Sequence, residues 1–129
     1  MKVPRILWVD DEIDHLKPHI LFLKNKSYDV LTCTNGLDAI QKIKNNQFDV
    51  VLLDENMPGL NGLETLNELK KINSELPVIM ITKNEAEHIM DDAIGGKISD
   101  YLIKPVNPNQ ILIALKKILN TKNLIDKKV

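Results

Sequence analysis

Short apolar runs punctuate the chain, and each is cut off by a polar or charged residue. Ile6-Leu7-Trp8-Val9 ends at Asp10-Asp11-Glu12, Val50-Val51-Leu52-Leu53 at Asp54, Val78-Ile79-Met80-Ile81 at Thr82, and Tyr101-Leu102-Ile103 at Lys104-Pro105. Uninterrupted runs of this length, bounded by turn residues, read as strands buried on both faces, as in the centre of a parallel sheet. Tyr28 to Cys33 reads as a further strand, second in chain order.

Between the runs the spacing changes to that of helices. Leu16, Ile20 and Leu23 recur on one helical face, with Pro18 early enough to cost little because first-turn amides have no helical partner. Asn35 can cap a helix carrying Leu37, Ile40 and Ile43, and Asn61 with Glu64 resembles a capping box ahead of Leu63, Leu66, Leu69 and Ile72. Asn84 with Glu87 suggests a fourth helix through Ile89, Met90 and Ala93, stopped by Gly95-Gly96. Asn107 and Pro108 open a fifth, with Ile111, Leu112, Leu115, Ile118 and Leu119 as its apolar positions. Five strands alternating with five helices on short links predict an α/β fold, a doubly wound parallel sheet with helices on both faces. The domain is expected over residues 1–119, with 120–129 as a frayed Lys-rich tail or the start of a linker.

In such a sheet the carboxyl ends of the strands share one rim, where ligands gather. With strands one and three adjacent, Asp10, Asp11 and Asp54 converge there. Two carboxylates about 4 Å apart repel by roughly 4 kcal/mol at an effective dielectric of 20, so the cluster asks for a cation. Hard oxygen ligands at a small open site suit Mg²⁺, which could neutralise an incoming phosphoryl group. Asp14 could instead cap the first helix. Thr82 and Lys104 bring a hydroxyl and an ammonium to the same rim, the latter able to balance charge at rest and to grip a phosphoryl group.

Composition narrows the picture only by exclusion. With 17 basic and 18 acidic residues the net charge is -1, so no overall field draws the chain to nucleic acid or to an anionic membrane. The lone Cys33 sits in an apolar run and reads as a small core residue. The opening residues form neither a signal peptide nor a membrane span, which makes a cytoplasmic protein the expectation.

Asp10-Asp11, the turn Asp54-Glu55-Asn56-Met57-Pro58-Gly59 with Gly62, Thr82, and the run Asp100-Tyr101-Leu102-Ile103-Lys104-Pro105 together resemble the receiver domain of two-component response regulators, over residues 5 to about 119. The resemblance implies a flavodoxin-like sheet of strand order 2-1-3-4-5. It implies that Asp54 accepts a phosphoryl group from a phosphohistidine on a sensor histidine kinase, or from a small phosphodonor. Asp11 would ligate Mg²⁺ directly and Asp10 in support, with Asp54 and the backbone carbonyl of Asn56 completing the protein's share. Thr82 and Lys104 would hold the phosphoryl oxygens, Tyr101 would be the aromatic switch, and Lys104-Pro105 would be a cis peptide. The altered face would comprise the fourth helix, fifth strand and fifth helix, which in this family often pairs two copies; Ile89, Met90, Ile103 and Val106 are candidates for it. No turnover of an external substrate is expected.

Two places depart from the family pattern. Lys83 follows the switch Thr where a small residue is usual, and is expected to overhang the site; Asn56 and Asn84 are further positions that would modulate it. Lys97-Ile98-Ser99 precedes Asp100-Tyr101 where many members have Gly-Ala. The phrases Pro4 to Glu12 and Tyr101 to Gln110 further resemble PorX-type regulators, whose receiver is followed by a helical segment and a PglZ output domain associated with type IX secretion; that output domain is absent from this chain. Two competing readings are a receiver that never cycles and serves as a docking module, and a hydrolase or flavin carrier on the same fold. The complete set Asp10, Asp11, Asp54, Thr82 and Lys104 speaks against the first. The lack of a Gly-rich phosphate cradle after the first strand speaks against the second.

Overall fold

A computed structural model describes residues 3–83 and 97–127, with side chains as far as Asn120. In chain order the elements are β1 (Arg5–Val9), a 3₁₀ turn (Ile13–Leu16), α1 (Lys17–Asn25), β2 (Asp29–Cys33), α2 (Gly36–Asn45), β3 (Val50–Asp54), α3 (Gly62–Ile72), β4 (Val78–Thr82), β5 (Asp100–Ile103) and a C-terminal helix (Pro108–Lys127). The strands pair in parallel as one sheet of order β2-β1-β3-β4-β5, as expected. The predicted helix from Asn84 and Glu87 to Gly95-Gly96 lies outside the described residues.

The pleat divides the apolar runs between two cores, because successive side chains of a strand point to opposite faces. Leu7, Val9, Val51, Leu53, Val78 and Met80 pack on one face with Ala39, Ile43, Leu66 and Leu69 of α2 and α3. Ile6, Trp8, Val50, Leu52, Ile79 and Ile81 pack on the other with Leu23 of α1 and Ile111, Ala114 and Leu115 of the C-terminal helix. Each fully buried Leu or Ile stabilises the fold by about 1.5–3 kcal/mol, so neither face tolerates a polar substitution. Cys33 joins the first core as expected, and burial pushes its thiol up to about 11, where it is inert at neutral pH.

The helix starts follow their caps. The Asn35 side chain accepts from the Asp38 N–H, and Asn61 with Glu64 forms a complete capping box. At the last helix the Asn107 side chain accepts from the Asn109 N–H, and the Gln110 side chain reaches back to the Asn107 N–H. Three expectations are corrected. Asp14 does not cap: it lies inside the 3₁₀ turn, and no side chain caps either that turn or α1. Leu37 is 66% exposed, because the buried row of α2 runs through Gly36, Ala39 and Ile43, and Leu37 lies about 100° round the helix from Gly36. Val106 is buried in the second core and is no part of an exposed face, whereas Ile103 is half-buried. The C-terminal helix continues to Lys127 where periodicity had faded near Asn120.

Gly62 opens α3 under the end of β3. A Cβ there would lie 2.6 Å from the Asp54 carbonyl oxygen and 2.6 Å from the Glu55 Cα, both backbone atoms that cannot yield cheaply. Ala usually outranks Gly in a helix by about 1 kcal/mol. Here the sign reverses: Gly62→Ala is expected to lower stability by about 1–3 kcal/mol, as forced overpacking does, which urea unfolding will read.

Candidate functional site

Three of the strands carry their ladder one rung past their last residue. Asp10 N–H donates to the Cys33 carbonyl at 3.1 Å, Glu55 N–H to Ile81 at 3.0 Å, and Lys104 N–H to Thr82 at 2.7 Å. The backbones at the rim are therefore as fixed as the strands themselves. Asp10 and Asp54 are almost fully buried, at 1% and 2% exposure, and Asp11 is exposed. One carboxylate oxygen from each of Asp10, Asp11 and Asp54 lies within 4.8 Å of the other two.

Lys104 anchors the pair of buried acids. Its ammonium is 3.1 Å from Asp54 Oδ1 and 3.3 Å from Asp10 Oδ2. Asp10 Oδ1 accepts from the Glu12 N–H at 2.8 Å, and Asp54 Oδ1 also accepts from the Asn56 N–H at 3.3 Å. The contacts to Asp54 thus fall on Oδ1. Burial, then the Asp10 charge, raise the Asp54 carboxyl to about 6, even though Lys104 and the Asn56 N–H pull it down. Burial alone would lower the Lys104 ammonium, but its hydrogen bond to Asp54 and the two carboxylate charges outweigh that and raise it. The peptide bond Lys104-Pro105 is cis, as the resemblance implied.

One ammonium set against the two buried acids, with the Asp11 carboxylate beside them, leaves the cluster short of positive charge, and the donor set decides what can supply it. All donors are hard oxygens gathered within 4.8 Å of one another, the donor chemistry that suits Mg²⁺, and these carboxylates would close inward to hold it.

Thr82 is fully buried, but its hydroxyl is turned to the Glu55 carboxylate, to which it donates. The cause is the pleat. Thr82 has the parity of Val78 and Met80 and so faces the α2–α3 side, whereas Asp54 shares the parity of Val50 and Leu52 and faces the α1 side. Tyr101, half-buried, packs on the Thr82 side against the first core. Asp10, Asp11, Asp54 and Lys104 therefore meet as expected, while Thr82 and Tyr101 stand on the other face of the same rim. The part of Glu55 was not read from the sequence, although the alternation of side chains along β3 and β4 carried the signal. Lys83 is exposed and, with Asp10, Lys104, Trp8 and Val106, lines a cavity of about 540 Å³ on the α1 side. Beneath it His19 Nε2 lies 2.8 Å from the Val106 carbonyl and ties α1 to the segment after Pro105. Asn56 is exposed at the turn, and Asn84 lies outside the described residues.

The family model for the response regulator receiver domain matches residues 6–116. A CpxR homolog transcriptional regulatory protein from Haemophilus influenzae is 38% identical over 89% of this chain and 50% of its own length. The chemotaxis protein CheY of Bacillus subtilis is 32% identical over 90% of this chain and 98% of its own. Among solved structures, the response regulator TrrA of Thermotoga maritima, in complex with Mg²⁺-BeF, superposes with a TM-score of 0.79 at 30% identity, covering 89% of this chain and 98% of that one. A receiver domain from Methanospirillum hungatei reaches 0.87 at 27% identity, covering 95% and 98%. The chain spans only about a quarter to a half of the length of the first curated relatives it matches. Among the described residues no helix is long and apolar enough to cross a membrane.

The buried charge at Asp54 has a measurable cost. An acid whose carboxyl is raised in the folded state loses stability as pH climbs from its unfolded pKa near 4 to its folded value near 6. In Mg²⁺-free buffer Asp54→Asn is expected to be more stable than the parent by about 1–3 kcal/mol above pH 6. Its advantage shrinks as pH falls from 6 to 4, and Mg²⁺ narrows it at neutral pH. Unfolding midpoints across that pH range check this.

Proposed function

This chain belongs to the response regulator receiver domain family, the phosphoacceptor modules of two-component signalling, and from that membership we propose that Asp54 is its phosphoacceptor. The observation that carries the reading is the meeting of Asp10, Asp11 and Asp54 around Lys104 at a rim held by strand hydrogen bonds. Asp54 Oδ2, free of the contacts made by Oδ1, attacks phosphorus as an anion, which it is at neutral pH with its carboxyl near 6. The O–P bond forms as the donor's P–N bond breaks, and the electron pair leaves with the imidazole nitrogen of a histidine kinase. Lys104 moves from balancing the carboxylates to holding a phosphoryl oxygen. Asp10, Asp11, Asp54 and the Asn56 carbonyl would hold Mg²⁺, whose chemistry is to neutralise charge between two anions.

Thr82 and Tyr101 then transmit the event. A phosphoryl group draws the Thr82 hydroxyl over the rim, and Tyr101, on the same face of the sheet, follows into the space released. The face that responds includes β5 and the C-terminal helix. Ile113 is exposed on that helix, beside a shallow groove also lined by Asp100, Leu102 and Lys117. A second copy pairing there on phosphorylation is the expected outcome, read by light scattering with a phosphoryl mimic.

The protein works in the cytoplasm with a sensor kinase, drives an output domain, and turns over its own acyl phosphate but no external substrate. We assign it to the PorX type, on the phrases Pro4 to Glu12 and Tyr101 to Gln110, and so to type IX secretion. The coding sequence past Val129 decides that assignment: a helical segment and a PglZ domain support it, and a DNA-binding domain overturns it.

Incubation with Mg²⁺ and acetyl phosphate is expected to add one phosphoryl mass to Asp54. Asp54→Ala abolishes the adduct, and Lys104→Ala slows its formation by about 10²-fold. No adduct, or one that survives Asp54→Ala, overturns the assignment of Asp54 as phosphoacceptor. Lys83→Ala is expected to change the lifetime of the adduct through water access; identical phosphorylation and dephosphorylation rates would remove Lys83 from the mechanism.

A further inference from the structure

We propose that Glu55 is a positioning residue that holds the switch hydroxyl of Thr82 away from Asp54 until a phosphoryl group competes for it. The proposal rests on Asp54 being the acceptor. Its ground is the register of β3 against β4. Asp54 stands opposite Ile81, and Glu55 N–H continues the ladder to the Ile81 carbonyl at 3.0 Å, so the next neighbours along the pair are Glu55 and Thr82. Neighbours in register project to the same face, and the Thr82 hydroxyl donates to Glu55 Oε2. That face belongs to Leu53, Met80 and Tyr101, and is the one Asp54 does not share.

Glu55 is also anchored in a way a surface Glu is not. Its carbonyl accepts from the Gly62 N–H at 2.9 Å, and the bare Cα of Gly62 is what allows that approach. With both sides of its backbone fixed, the half-buried side chain is aimed at Thr82 by the sheet itself. A hydroxyl bonded to a carboxylate is held more firmly than one bonded to a neutral oxygen. Transfer of that hydroxyl to a phosphoryl oxygen therefore begins by breaking a charge-assisted bond. An arriving dianion assists, because it repels the Glu55 carboxylate. The equilibrium between the two Thr82 positions is thus biased toward rest in the unmodified protein, and an added acceptor at Asp54 reverses the bias.

Beryllofluoride, titrated with Mg²⁺ by calorimetry, measures the bias directly as a dissociation constant. Glu55→Ala is expected to bind it on the order of tenfold more tightly than the parent, and Glu55→Gln, which keeps an oxygen but not the charge, lies between. Removing a negative charge near an anion site also tightens binding, so the same substitutions are made in Thr82→Ala. There the gain is expected to fall to a small residual. Equal affinities in the parent and both Glu55 variants, or an undiminished gain in the Thr82→Ala background, overturn the positioning role. A parent that neither binds beryllofluoride nor takes a phosphoryl group from acetyl phosphate overturns the acceptor reading and this one with it. A parent that does both while the Glu55 variants match it leaves Asp54 in place and removes Glu55 alone.

Discussion

Two buried carboxylates share the Lys104 ammonium at the rim of the sheet with a third, exposed carboxylate beside them, and most of what distinguishes this domain follows from that imbalance. Asp10 and Asp54 are buried, and a buried carboxylate is costly unless paired and hydrogen-bonded. Lys104 reaches both, yet Asp54 remains hard to ionise, because burial and the Asp10 charge together outweigh the lysine. A fold that only needed stability would place apolar residues there. The site is instead held under charge stress, and strand hydrogen bonds running past Val9, Asp54 and Ile103 keep its backbone from relaxing away.

The pleat gives that rim two sides with different chemistry. Acids, lysine and the cavity under Lys83 lie over the α1 side, and the hydroxyl, Glu55 and Tyr101 over the α2–α3 side. The sides meet only at the end of the sheet, where no further rung separates them. A change at Asp54 can therefore act on the first core, across the sheet from it, without a relay through packed side chains, by pulling one hydroxyl across an edge.

Much of this was legible because the signals were local. Four-residue apolar runs marked the strands, Asn35, Asn61 and Asn107 marked helix starts through their own backbone contacts, and acids at strand ends marked the rim. The misreadings share a different cause. Asp14 was a cap candidate by its type, but the chain enters α1 through a 3₁₀ turn that the acid run does not announce. Leu37 was counted as core because it is apolar near the right phase, and its exposure depends on how α2 is rotated against β1 and α3. Val106 was a candidate for the exposed face by analogy, with plain core the other reading, and the turn after Pro105 folds it into the second core. The partner of Thr82 is also set by register between strands, which is fixed only when two distant segments pair.

Trp8 is the only tryptophan in the chain, and it stands two residues before Asp10, fully buried, at the wall of the cavity beneath Lys83 and Lys104. Its ring meets His19 edge-on at 6.3 Å between centroids, and its indole N–H has no hydrogen-bond partner among the described residues. Indole emission responds to nearby charge and polarity, so the domain carries its own optical gauge beside the acids. The colour and brightness of one native chromophore should follow metal and phosphoryl occupancy in real time, with no label attached.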